Sequence, residues 1–140
     1  MPGTQRQCSL FEDDALIDVT PRLKAALGAA VRESGMSVDQ VADAMQTLAE
    51  RSGLRLNKNA KKLSTETLEK WINPNDTTRI PGWNAVQAFV RVLNDPRPLA
   101  VLTRACGMHV ITGEQARLLK AAEIDAEIAR LRAQKKALGQ

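Results

Sequence analysis

Residues 64–74 read Ser64-Thr65-Glu66-Thr67-Leu68-Glu69-Lys70-Trp71-Ile72-Asn73-Pro74, and the reading of the fold turns on them. Leu63, Leu68, Trp71 and Ile72 recur at helical spacing and make one apolar stripe. Pro74 disfavours helix in the residue before it, so the helix stops at Asn73. The pattern predicts a helix beginning near Ser64 and running for about ten residues. It buries one side and leaves Thr65, Glu66, Glu69, Lys70 and Asn73 on the other.

Upstream, Thr20-Pro21 announces a first helix, with Thr20 as N-cap and Pro21 at the first helical position. Leu23, Leu27, Ala30 and Val31 mark its inner face, and Gly35 stops it. Ser37-Val38-Asp39-Gln40 is a capping box, in which the serine and glutamine side chains satisfy two free backbone donors. Val38, Val41, Ala42, Met45, Leu48 and Ala49 continue the second helix to Gly53. Residues 54–62, LRLNKNAKK, carry basic residues without helix signals and read as a loop with room for a short extended piece.

Downstream, residues 77–82 connect to a fourth helix with Trp83, Val86, Phe89, Val90 and Leu93 on its inner face. Asn94-Asp95-Pro96 ends it. Leu99, Leu102, Ala105 and Cys106 then mark a short fifth helix, capped by Gly107. Thr112-Gly113-Glu114-Gln115 is a second capping box. The chain that follows holds strong helix formers and no Pro or Gly before Gly139, so a long helix runs to about Leu138. Ala121, Ile124, Ile128, Leu131 and Leu138 keep heptad spacing, with Lys135 in the remaining core slot. Leu118 and Leu119 fall off that seam and are placed to dock the helix on the body. The expected organisation is an acidic leader over 1–19, a helical domain over 20–111 and a terminal helix over 112–140.

Composition supports an all-α fold. The chain has 140 residues, enough for one domain with an appendage. Apolar residues make up 44% and aromatics only 3%, so the core is aliphatic, and a stacking surface for single strands is disfavoured. In the leader, Leu10, Phe11, Leu16, Ile17 and Val19 are the residues able to pin it to the body. Cys8 sits in polar sequence and is expected exposed, whereas Cys106 lies in an apolar pattern and is expected buried. Two separated cysteines and one histidine do not make a zinc site. His109 has no nucleophile or ligand near it in sequence. Asp13-Asp14 lies in the leader, and Glu66 with Glu69 lacks further ligands. Neither phosphate-binding glycine motif is present. These absences predict a protein that is not an enzyme and carries no cofactor or metal. No apolar run approaches a membrane span, and the acidic leader lacks the apolar core of a secretory signal. The expected setting is a reducing cytoplasm.

Charge distribution points to a partner. The formal net charge is +4. Residues 1–19 set Arg6 against Glu12, Asp13, Asp14 and Asp18, a net of −3. Residues 55–79 set Arg55, Lys58, Lys61, Lys62, Lys70 and Arg79 against Glu66, Glu69 and Asp76, a net of +3. A supporting helix, a positioning helix and a short helix with a polar outer face make a helix-turn-helix, whose last helix reads the major groove of double-stranded DNA. Ser64 and Thr67 lie near the start of that helix, where free N–H groups favour phosphate. Lys58, Lys61 and Lys62 are candidates to neutralise phosphates, and Asn57 and Asn59 to hydrogen-bond the backbone.

SVDQVADAM (37–45) and LSTETLEKWINPND (63–76), followed by IPGWNAVQAFVRVLNDPRPLAVLTRACGMHV (80–110), resemble phage repressor-like proteins, in particular the CII-type regulators. The resemblance covers roughly residues 36–110. It implies a phage or prophage transcriptional regulator that works as an oligomer. It also implies that Ser64, Thr65, Thr67 and Lys70 contact bases and phosphates. The long basic insertion and the two glutamates depart from the family pattern. Two alternatives stay open at this point. The lysine-rich loop is also what a plain solvated loop looks like, and Glu66 and Glu69 carry the wrong sign for DNA. The terminal seam of Ile124, Ile128, Leu131 and Leu138 suits a homo-oligomer, but equally a helical module that binds another protein and never touches DNA.

Overall fold

The computed structural model describes residues 15–139, which hold six α-helices and no strand. They are α1 (Thr20–Ser34), α2 (Val38–Ser52), α3 (Thr65–Trp71), α4 (Trp83–Leu93), α5 (Arg97–Ala105) and α6 (Gly113–Leu138). The expectations for Cys8, Leu10, Phe11, Glu12, Asp13 and Asp14 lie outside the described residues. The chain divides into two units between His109 and Val110. None of the helices is long and apolar enough to cross a membrane.

Local signals place most helix ends. Ser37 accepts from Gln40 N and Gln40 Oε1 accepts from Ser37 N, completing the box at the start of α2. Thr112 and Gln115 do the same at α6. Gly35 and Gly53 end α1 and α2 with φ of 77° and 67°, backbone that disfavours residues with a Cβ. Thr20, expected as the N-cap of α1, is instead its first helical residue, after Val19. The Asp18 carboxylate takes the capping role by accepting from Thr20 N at 3.0 Å, and an anion there also suits the helix dipole. α3 is shorter than expected, ending at Trp71 with Ile72 as its cap.

In the first unit α1 packs against α4 and α5, α2 against α3 and α4, and α4 against α5. The core joins Leu27, Ala30 and Val31 of α1, Val41, Ala42, Met45 and Ala49 of α2, Leu68 and Trp71 of α3, and Ala85, Ala88 and Phe89 of α4. Leu56 and Leu63 enter it from the loop between α2 and α3. Two aliphatic-face expectations are corrected. Trp83 is 72% exposed, because the buried stripe of α4 runs through Ala85, Val86, Ala88 and Phe89 and leaves the first helical residue beyond its edge. Cys106 is exposed. It caps the outer end of α5, a helix in which Pro98 is the buried residue and Leu99, Leu102 and Ala105 are half-covered. Of the leader residues expected to pin it down, Leu16 and Ile17 are exposed and Val19 is half-buried.

The second unit holds α6, and no residue of that helix is buried. Ile124, Ile128, Leu131 and Leu138 show between 40% and 83% of their surface, and Leu118 and Leu119 are exposed as well. Arg130 braces the helix by pairing with Glu127 one turn earlier, at 2.6 Å.

Candidate nucleic-acid interface

The lysine-rich loop is held at both ends. Leu56 and Leu63 are buried, and Leu63 N donates to Gln46 Oε1 of α2 at 2.8 Å. Gln46 is itself oriented by donating through Nε2 to Glu50 Oε1 at 3.1 Å. Between the anchors Asn57 makes a local turn, its Oδ1 accepting from Asn59 N at 3.1 Å. The apolar anchors face inward, so the polar tip is displayed. Lys58, Lys61 and Lys62 are exposed, and none takes part in the ion pairs formed among the described residues.

The polar side of α3 is internally bonded. Ser64 Oγ accepts from Thr67 N at 3.1 Å and donates to Thr67 Oγ1 at 3.0 Å. Thr65 Oγ1 donates to Asp39 Oδ1 at the start of α2, which ties the two helices together. Lys70 Nζ lies 3.4 Å from Glu66 Oε1. Ser64, Glu66 and Glu69 are exposed, while Thr65, Thr67 and Lys70 are half-buried. Contact with a polyanion therefore requires Lys70 to exchange Glu66 for phosphate, a small cost because an exposed pair at this spacing contributes about 0.3–0.5 kcal/mol.

A buried cation seats α3, and the sequence reading missed it. Lys24 lies on the inner side of α1 and is 1% exposed. Its Nζ donates to Lys70 O at 3.0 Å and also to Asp76 O. The first acceptor is a carbonyl in the last turn of α3, where a cation complements the dipole. Burial pulls the Lys24 pKa below the ordinary lysine value, and the Asp76 carboxylate opposes that shift. The Thr78 hydroxyl and backbone N–H hold the Asp76 carboxyl below the usual carboxylate range, assisted by the charges of Lys24 and Lys70. One turn beyond Lys24, Gly28 faces the same junction. A Cβ there would stand 3.1 Å from Ile72 O, so the missing side chain allows the close approach.

The candidates do not all meet. Lys58 and Thr67 border one cleft of about 490 Å³, together with Trp71, Arg55, Arg79 and Trp83. Lys61 and Lys62 do not border it. Arg55 and Arg79 entered the sequence reading only as part of the charge total, and Trp83 only as a core residue. His109 is exposed. Among the described residues no group of three or more His, Cys, Asp or Glu is placed to hold a metal ion. Comparison of the chain with protein-family models, with curated proteins and with solved structures finds no match.

Proposed function

We propose that the chain binds double-stranded DNA, with α2 and α3 acting as a helix-turn-helix whose turn is enlarged to residues 53–64. The observation that carries this reading is the displayed tip of that loop. Three exposed lysines without carboxylate partners among the described residues stand on a segment pinned beside a short, polar-faced helix. In this reading α3 enters the major groove, with Ser64, Thr65, Thr67 and Lys70 toward bases and phosphates. Lys58, Lys61 and Lys62 supply the sequence-independent attraction. The resemblance to CII-type regulators supports transcriptional regulation in a phage or prophage setting, carried out in the cytoplasm without catalysis or cofactor.

The test is fluorescence anisotropy with random duplex DNA at about 50 and 200 mM salt. For about four phosphate contacts, affinity should fall by roughly two orders of magnitude across that range. Replacing Lys58, Lys61 and Lys62 together by Gln should lower the salt slope by about three. Absence of binding at low salt, or an unchanged slope in the triple variant, rejects the reading.

One observation supports a role for α6 in assembly. Ile124, Ile128 and Leu131 lie on one side of a helix without buried residues. A second copy of the chain is the occupant this reading assigns to that side, since helix-turn-helix units gain affinity and half-site spacing by pairing. A different protein bound there, with no DNA contact anywhere, is the competing reading, and the exposed Glu66 and Glu69 favour it.

A further inference from the structure

We propose that the cleft beside α3 is a binding site for a nucleoside phosphate. Its volume, about 490 Å³, falls within the roughly 300–1,000 Å³ common to small-ligand sites. Arg55, Lys58 and Arg79 stand on its walls, and among the described residues no aspartate or glutamate does. None of these three cations takes part in the ion pairs among the described residues. Three cations around one concavity repel one another, and an anion between them relieves that repulsion.

The rest of the lining selects among anions. Trp83 is 72% exposed and Ile80 60% exposed, in a chain with only two tryptophans and no tyrosine. A large indole left in water on the border of a cationic cleft offers a π-face to a planar ring. Asn57 also borders the cleft. Its Oδ1 is engaged by Asn59 N, which leaves its amide NH₂ available for the acceptor edge of a base. A bare phosphate would leave the indole unused, and a neutral ring would leave the cations unused. A phosphate joined to a base uses both. The nucleotide has two sources, a free mononucleotide or one unit of a DNA strand lying across α3. Lys58 and Thr67 belong to both readings, whereas Arg55, Arg79 and Trp83 have no part in the DNA reading above, so substitutions at those three test the cleft apart from it.

The probe is deoxyadenosine monophosphate, titrated into the full chain and read by tryptophan fluorescence and by calorimetry. Saturable quenching is expected. It should shrink in Trp83→Phe, where the remaining tryptophan, Trp71, also borders the cleft but is buried, and calorimetry should show binding weakened at least about tenfold. By calorimetry Arg79→Gln and Arg55→Gln should each weaken binding about tenfold, equivalent to about 1.4 kcal/mol. Inorganic phosphate and deoxyadenosine should each bind at least about tenfold more weakly than the monophosphate. Displacement of the monophosphate by duplex DNA assigns the cleft to a nucleotide of the strand, whereas simultaneous binding of both assigns it to a free nucleotide. The proposal is overturned by no saturable binding, by inorganic phosphate binding equally well, or by variants that bind like the parent. All three substitutions lie outside the core, and circular dichroism checks that each variant is folded. Intact duplex affinity without monophosphate binding would remove the cleft and leave the DNA reading standing.

Discussion

Replacing Lys24 by Met tests the seating of α3. Methionine retains most of the aliphatic volume and removes the donor, so packing changes little. Both Lys24 bonds are then lost: Asp76 O is left without its donor, and Lys70 O keeps only the long bond from Asn73 N at 3.4 Å. Hydrogen bonds from a charged donor contribute about 1.5–3 kcal/mol each, or about 3–6 kcal/mol together. Two effects reduce that loss. The buried ammonium no longer has to be desolvated, and water can reach the carbonyls in part, because both bonds are only part-buried. The expected net destabilisation is about 2 kcal/mol. The acceptors are backbone groups and cannot be made apolar, so the substitution cannot imitate the neutral exchange of a whole buried ion pair for hydrophobic residues. In urea, with a slope of about 1–2 kcal/mol/M, the midpoint should drop by about 1–2 M. The pH dependence adds a second signature. The folded chain holds the Lys24 proton more weakly than the unfolded chain does, since burial lowers its pKa from 10.5. Stability from this group therefore rises with pH between the folded pKa and 10.5 and is level below that window. The gap between parent and Lys24→Met should widen across the same alkaline interval. An unchanged or higher urea midpoint in the variant would refute the reasoning, because it would mean that burying the ammonium costs as much as its bonds return.

Gln46→Ala should cost about 1 kcal/mol by leaving Leu63 N without its acceptor. Amide exchange at Leu63 should accelerate while that of the α4 core stays unchanged, and equal protection in both proteins would deny Gln46 an anchoring role. Ile128→Lys with Leu131→Lys should convert any oligomer to monomer in sedimentation equilibrium without lowering the thermal midpoint of the first unit. A parent chain that is monomeric at high concentration would dismiss self-association through α6.

Helix positions were legible in the sequence because their causes are local. A capping box joins residues three apart, and Ser37 with Gln40 and Thr112 with Gln115 form their bonds as read. Gly35 and Gly53 end helices because a left-handed residue is a backbone requirement met at one position. The inner faces of α1 and α2 followed from spacing alone, with Leu27, Val41 and Met45 fully buried. The candidate residues Ser64, Thr65, Thr67 and Lys70 were located on or beside a helix correctly, and Lys58, Lys61 and Lys62 on an exposed loop.

By itself, then, the sequence determined that this protein is helical, where most helices begin and stop, and which stretch concentrates positive charge. Tertiary structure alone decided what lies opposite what. Lys24 looks like a surface lysine until acceptors 46 and 52 residues away are brought to its ammonium. Trp83 and Cys106 occupy helical apolar patterns, yet their exposure depends on where neighbouring helices end, which periodicity does not record. The cleft draws Arg55 and Lys58 from one loop and Arg79 and Trp83 from another segment. A concavity lined by cations is a property of the packed surface, and no window along the chain contains it. Local bonding is encoded in short spacings, whereas burial and electrostatic environment depend on contacts made only after the chain has folded back on itself.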